Sequence, residues 1–213
     1  MPIPPGFTPE AILFDCDGTL LLTADLHFEA IAKAAEAQGA KMGRDWYMSL
    51  TGMGRKDLFA RFASDFALSL DVPRLIEESI AMTVALAPRA EENPPVAQIL
   101  RAVSGRLPLA LVTNSEAPIA GSFLAATGLA DLFDTILTVD SAPKPKPAPD
   151  LYLLAAQRLD VPITRCLVLE DSAQGIEAAH RAGASCLDVR EPGWADICHR
   201  SLDHMGLAPL AAR

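Results

Sequence analysis

The stretch Ala11-Ile12-Leu13-Phe14-Asp15-Cys16-Asp17-Gly18-Thr19-Leu20 decides the fold of this chain. Its apolar start is short enough for a strand buried on both faces, and acids and a glycine follow at once. In an open parallel sheet the carboxyl ends of the strands are where ligands bind. Two aspartates one residue apart at such a tip can divide labour. The first can attack phosphorus as a nucleophile and the second can carry the proton for the leaving oxygen. Gly18 lets the backbone turn away closely beneath them. Taken alone, the motif also reads as a turn with solvated aspartates.

Working outward, four further apolar runs read as buried strands: Leu107 to Val112, Thr135 to Val139, Cys166 to Leu169 and Ser185 to Val189. Helical patterns lie between them: Pro118 to Thr127 closing at Gly128, Leu151 to Leu159, and Ile176 to Ala182 closing at Gly183, where glycine permits a left-handed cap. This alternation predicts an α/β chain with right-handed crossovers, a doubly wound Rossmann-like parallel sheet covered on both faces. About 90 residues separate the first two runs, where a crossover needs only a dozen or more. The interval holds helix patterns over Asp25 to Gln38, Lys56 to Phe66 and Val72 to Ala87, and no convincing strand. The expected plan is a core of residues 1–21 and 93–213 with an all-helical insert of residues 22–92. Glu91-Glu92-Asn93-Pro94-Pro95 serves as the return linker.

Composition bounds the function. With 213 residues, 50% of them hydrophobic and 21% charged, the chain is neither disordered, collagenous nor coiled coil. A net charge of −9 without clustered Lys and Arg argues against nucleic acid and against an anionic membrane surface as partners. The segment Met1-Pro2-Ile3-Pro4-Pro5-Gly6 lacks a basic region followed by an apolar stretch, and no run is long enough to span a membrane. The expected location is cytoplasmic. Cys16, Cys166, Cys186 and Cys198 have neither metal-ligand nor Cys-x-x-Cys spacing, and none precedes an Arg by six positions as in cysteine-dependent phosphatases. They read as reduced core thiols, with Cys16 a spectator.

Three later segments can join the first motif. Val112-Thr113-Asn114-Ser115 ends the second run and opens a helix. The Thr113 hydroxyl and the N–H groups that follow, Asn114 among them, can therefore face an anion, although Ser and Thr also cap helices generally. Lys144-Pro145-Lys146-Pro147-Ala148-Pro149-Asp150 follows the third run. Its prolines reduce the freedom lost when a lysine there meets a phosphate, and a solvated basic loop is the alternative. Leu169-Glu170-Asp171-Ser172 ends the fourth run with adjacent acids, which buried strand ends rarely carry unpaired. If Asp15, Asp17, Glu170 and Asp171 converge, each close pair repels by about 4 kcal/mol at 4 Å and an effective dielectric of 20. A hard divalent cation answers that repulsion. All-oxygen ligation favours Mg2+ over zinc, for which the His and Cys set is missing.

In this order and spacing the motifs resemble the haloacid dehalogenase-like hydrolase superfamily over nearly the whole chain. The match runs through Asp15-x-Asp17-Gly18-Thr19, Thr113, Lys146 before Pro-Ala-Pro-Asp, and Glu170-Asp171-Ser172-x-x-Gly175. The resemblance implies Asp15 as the nucleophile that forms an aspartyl-phosphate and Asp17 as general acid and base. It implies Thr113 and Lys146 as phosphate ligands, beside the Asn114 N–H already read as facing the anion. It also implies a Mg2+ site of Asp15, the Asp17 backbone carbonyl and Asp171, with Glu170 in or next to that shell. The insert would be the family's helical cap. Dehalogenases and phosphonatases lack the second aspartate, so Asp17 points to a phosphate ester, in overall look to phosphatases of sugar phosphates and phosphoglycolate or to β-phosphoglucomutase.

Thr23-Ala24-x-x-His27 and Arg55 in Gly52-Met53-Gly54-Arg55 resemble the mutase segments and make His27 and Arg55 candidate substrate contacts from the cap. His27 in helix packing and Arg55 on a charged rim are the alternatives. Thr51 in place of a lysine and Leu22 in place of an acid depart from the mutase pattern and favour simple hydrolysis of a small phosphorylated metabolite. Two readings from other classes compete. A receiver-like phospho-aspartate switch shares the residue types, but its acids precede Thr and Lys. A catalytically idle binding module would have no use for so complete a set of groups.

Overall fold

The computed structural model describes residues 3–4, 6–50, 52–203 and 206. Thr51 lies outside the described residues, as do Met1, Pro2 and Pro5 of the N-terminal segment. Five strands form one parallel sheet: β1 (Ala11–Phe14), β2 (Leu109–Val112), β3 (Thr135–Leu137), β4 (Cys166–Glu170) and β5 (Ser185–Asp188). Their order is β3-β2-β1-β4-β5, all pairs parallel. That is the Rossmann order of its first five strands, and it differs from the 2-1-3-4-5 order of receiver-type sheets. The direction of winding reverses beside β1, so the crevice between the carboxyl ends of β1 and β4 is the ligand position of this architecture.

Alternate residues of the central strands feed two separate cores. Ile12, Phe14, Leu109, Leu111, Leu167 and Leu169 face one side. There they meet α5 (Pro94–Val103), α6 (Ala117–Thr127) and α9 (Trp194–Asp203). Ala11, Leu13, Ala110, Val112, Cys166 and Val168 face the other side. They meet α7 (Asp150–Arg158) and α8 (Ala173–Ala182). Burial on both faces explains why these strands read as unbroken apolar runs rather than as alternating ones. Gly128 and Gly183 end α6 and α8 in the left-handed region, at φ 69° and 87°, as their spacing predicts.

Several expected boundaries shift. The strand expected from Leu107 begins at Leu109, because Pro108 has no N–H to give a ladder. The one expected to reach Val139 ends at Leu137, and Val139–Ser141 forms a 3-10 turn closed by a Thr138–Ser141 capping box. Pro94 and Pro95 are not linker: they open α5, where a missing N–H costs nothing.

Between β1 and β2 the chain forms α1 (Ala24–Ala37), α2 (Arg44–Met48), α3 (Arg55–Asp65) and α4 (Val72–Leu86). Ile31, Ala34, Ala35, Tyr47, Leu58, Phe59, Phe62 and Leu75 make a third core of their own. The chain leaves and returns through one narrow base: Leu22 N donates to Glu91 O and Asn93 N to Leu20 O, both at 2.8 Å. The Asn93 side chain adds a bond to Thr19 O at 2.8 Å. Because this third core is packed separately, Phe59→Ala should leave a cavity costing about 3–5 kcal/mol, measurable as a lower urea midpoint.

Candidate active site

Each sheet tip supplies one part of a single pocket. Asp15 extends β1, with its N–H on Leu169 O of β4 at 3.0 Å. The turn beneath it is tight: Gly18 has φ +93°, and a Cβ there would stand 2.3 Å from Asp171 Oδ2. Glycine is therefore required both by conformation and by the close approach of a carboxylate.

Lys146 comes from the loop after β3 and is buried to 3% exposure. Its ammonium donates to Asp15 Oδ1 at 2.7 Å, Glu170 Oε1 at 2.8 Å and Val112 O at 2.8 Å, which uses all three of its protons. Burial works to strip its proton, but Asp15 and Glu170 overcome that and hold the ammonium charged. Asn114 braces the same loop, donating to Lys146 O at 3.1 Å and accepting from Lys146 N at 2.9 Å. The Asn114 side chain is thus turned to the lysine backbone.

Glu170 is fully buried. Its Oε1 also accepts from Tyr152 at 3.3 Å, and its Oε2 accepts from the Ser172 N–H and hydroxyl at 2.7 and 3.0 Å. Gly175 makes room for it: a Cβ there would lie 1.5 Å from Glu170 Oε1. Asp171 accepts from Thr19 Oγ1 at 2.9 Å.

Asp15, Glu170 and Asp171 can present oxygens all within 4.8 Å of one another. Burial first, and then Glu170, push the Asp15 carboxyl well above the usual range despite Lys146. The same two causes raise Asp171 to about 6. Crowded acids whose ionisation is opposed in this way are what a divalent cation would relieve. Oxygen-only donors suit a hard ion, and Asp15 Oδ2 carries no hydrogen bond among the described residues. The cluster can therefore hold such a cation, with Glu170 reaching it through oxygens already bonded to Lys146 and Ser172.

The Asp17 carboxylate does not join this cluster. It points toward the insert, where Oδ1 accepts from Thr23 and His27 at 2.7 Å each. Its Oδ2 accepts from Ser115 at 2.7 Å and Thr113 at 3.1 Å. Burial opposes its ionisation, but the His27 imidazole and the bonds from His27, Ser115 and Thr23 win and hold the carboxyl well below the usual range. Thr23 precedes α1 without capping it, its own backbone already being in the helical region at φ −107° and ψ −3° rather than the extended conformation a side-chain cap needs.

His27 is tied in turn to Arg55. Arg55 Nη2 lies 2.9 Å from His27 Nδ1 and 2.9 Å from Thr83 Oγ1. A guanidinium has only protons to offer, so His27 Nδ1 accepts and its Nε2 carries the proton given to Asp17. Arg55 Nη1 donates to Glu116 Oε2 at 2.7 Å, a buried ion pair between α3 and the loop after β2.

A cavity of about 140 Å³ lies among these groups, lined by Asp15, Asp17, His27, Arg55, Thr113, Lys146 and Asp171 together with insert residues such as Tyr47 and Leu58. The structure brings together every residue proposed for the site from the sequence. Sequence reading missed Ser115 and Ser172 as side chains with partners there, though each lies inside a segment it had singled out, and it missed Glu116, which falls between the Val112–Ser115 segment and the helix pattern from Pro118. Tyr152 and Thr83 sit inside helices without local signal. The four cysteines are buried and unpaired. Burial, then the charges of Asp17 and Asp15, push the Cys16 thiol well up, so it is no nucleophile.

Comparison with known proteins gives the chain a family. The model of the haloacid dehalogenase-like hydrolase family matches residues 9–183. Fructose-1-phosphate phosphatase YqaB of Escherichia coli (strain K12) is 33% identical over 84% of this chain and 95% of its own length. The crystal structure of CbbY from Rhodobacter sphaeroides in complex with phosphate superposes with a TM-score of 0.76 at 32% identity, covering 84% of this chain and 85% of that one. β-Phosphoglucomutase from Clostridium difficile shares the fold, with a TM-score of 0.75 at 23% identity over 93% of this chain and all of its own. The chain belongs to the haloacid dehalogenase-like hydrolase family and is an enzyme of that family with phosphatase relatives.

Two outcomes follow. Gly175→Ala should displace Glu170 from Lys146 and cost about 3–5 kcal/mol, the range for breaking a buried ion pair, measured by denaturant titration. For Asp171 the sign is fixed by its raised carboxyl: the unfolded chain loses that proton near 3.8 and the folded chain near 6. Metal-free stability therefore falls as pH rises between those values. Cation binding requires the deprotonated form, so apparent affinity should drop about tenfold between pH 7 and pH 5. The thermal shift given by a divalent ion at the two pH values measures it.

Proposed function

We propose that the protein is a Mg2+-dependent phosphatase of a small phosphate monoester, a sugar phosphate or related metabolite, acting through an aspartyl-phosphate on Asp15. The single observation that carries the reading is the arrangement of two carboxylates around one small cavity. Asp15 lies 2.7 Å from the Lys146 ammonium, and Asp17 is held apart from it by four donors. Neither could take the other's part.

In this reading Lys146 fixes Asp15 Oδ1 and leaves Oδ2 to attack phosphorus in line with the ester oxygen. The P–O bond to the substrate breaks, and Asp17, which must first gain a proton against the donors that hold it ionised, supplies the proton of the leaving alkoxide. Asp17 then takes a proton from water as that water attacks the aspartyl-phosphate, which releases phosphate and restores Asp15. The strong hold on ionised Asp17 suits this second half. On substrate binding Lys146 turns a proton from its present acceptors, and Thr113 its hydroxyl from Asp17, to the phosphoryl oxygens, with Asn114 keeping the Lys146 loop in place. Mg2+, held by Asp15, Asp171 and the Asp17 carbonyl with Glu170 beside them, would supply further neutralisation of the phosphoryl charge.

Residues 22–92 act as a cap on the core of residues 1–21 and 93–213, swinging on the paired segments at Leu22 and Glu91. His27 and Arg55 are its contribution to the closed site. The cavity of about 140 Å³ lies between the core and the insert. Because core and insert residues both line it, an ester enters with the cap open and reacts with it closed. The relatives' names support carbohydrate phosphates as the substrate class. The four unpaired buried cysteines support a reducing, cytoplasmic setting.

A phosphate-release screen over sugar phosphates, phosphoglycolate and nucleotides, with and without Mg2+, tests the reading beside a hexose-phosphate isomer assay. We expect Mg2+-dependent release from carbohydrate monophosphates and no isomer product. Asp15→Asn should lower turnover by about 10³-fold or more with a melting temperature at or above the parent's, since it relieves repulsion from Glu170 and Asp171. Near-parent hydrolysis by that variant would falsify the assignment.

A further inference from the structure

The phosphatase reading leaves open which esters the site accepts, and the charges around the cavity bear on that. Lys146 and Arg55 are the only Lys or Arg among the described residues that line it, against the acids Asp15, Asp17, Glu170 and Asp171. Lys146 is already shared between Asp15 and Glu170. It stands beside the acid cluster and serves one transferred phosphoryl group.

Arg55 is the remaining cation, and both its terminal nitrogens are engaged; its Nε–H lacks a partner among the described residues but is shut away from the surface. Its Nη1 pairs with Glu116 at 2.7 Å, the two side chains being 6% and 17% exposed, and its Nη2 is held by His27 and Thr83. A substrate with a second phosphate would have to pull Arg55 from Glu116 and leave that carboxylate buried beside a dianion. Otherwise it would have to bury its own far phosphate unpaired. Either course is costly, because an unpaired ion in a desolvated pocket is strongly disfavoured. An uncharged, hydroxyl-bearing far end meets no such obstacle.

We propose that Glu116 is a specificity-determining residue: by cancelling the charge of Arg55 it restricts the site to monophosphates with a neutral polyol end and turns bisphosphates away. This is selection by a repulsive element built into the pocket. The inference rests on the phosphatase reading. Glu116→Gln keeps an oxygen for Arg55 Nη1 while removing the opposing charge, and Glu116→Asp keeps the charge.

The test uses the purified full chain with Mg2+ and a matched pair of probes, fructose 1-phosphate and fructose 1,6-bisphosphate, with glucose 6-phosphate and glucose 1,6-bisphosphate as a second pair. In the parent, kcat/KM for a monophosphate should exceed that for its bisphosphate by about tenfold or more, and Glu116→Gln should shrink the ratio about tenfold through a lower KM for the bisphosphate. Glu116→Asp should hold the parent ratio. Parent turnover of both members of a pair to within about threefold, or a folded Glu116→Gln protein with an unchanged ratio, overturns the proposal and leaves the phosphatase reading standing. Failure to hydrolyse any monophosphate in either pair or in the wider screen overturns both. The parent ratio needs no variant, so the proposal can be tested even if Glu116→Gln is unstable.

Discussion

The buried ammonium of Lys146, fixed between Asp15 and Glu170, is the interaction on which the rest of the site depends. Removing the ammonium from between them would leave two carboxylates uncompensated in the interior, and breaking a buried pair in this way typically costs about 3–5 kcal/mol. Three independent parts of the chain therefore have to arrive in register: the β1 tip with Asp15, the β4 tip with Glu170, and the loop after β3 with Lys146. The supporting contacts serve this one constraint. Asn114 holds the lysine backbone from both sides, the Tyr152 ring lies 4.8 Å from its ammonium, and Gly175 leaves room for Glu170.

A second network is built on the opposite logic. Asp17 receives four hydrogen bonds, two from residues that lead into or lie on α1 and two from the loop after β2. One carboxylate at the β1 tip is thus crowded by other acids and the next is surrounded by donors. Their proton affinities move apart, although they are chemically identical and separated by a single residue. Divergent environments of this kind are how one pocket can run nucleophilic and proton-transfer chemistry together. The donors to Asp17 extend through His27 to Arg55 and Glu116, so the insert and the sheet are joined through the same group.

Much of the fold was legible because burial on both faces leaves an unmistakable mark. The runs at Ala11, Cys166 and Ser185 start where the strands start, and the glycines after α6 and α8 end those helices. Elements without such a mark were missed. The helix Arg44–Met48 is only five residues long, too short for periodicity to register. Helix Pro94–Val103 was obscured by the two prolines that open it. The last helix, Trp194–Asp203, packs its apolar stripe through Trp194, Cys198 and Leu202, a spacing that mixed neighbours conceal.

The sequence by itself determined which chemical groups the enzyme possesses and in what order, since motif spacing at strand ends is a local property written in neighbouring residues. It determined the two-faced sheet as well, because a strand buried on both sides has no alternative composition. Only the tertiary structure decided how those groups are paired. Asp17 turns away from the acid cluster, Glu170 spends its oxygens on Lys146, Ser172 and Tyr152, and Arg55 is neutralised by Glu116. These pairings join residues from 24 to 131 positions apart in the Lys146 triad alone. A charge's partner depends on where the sheet and the insert bring distant side chains together, and no local pattern in the chain records that distance.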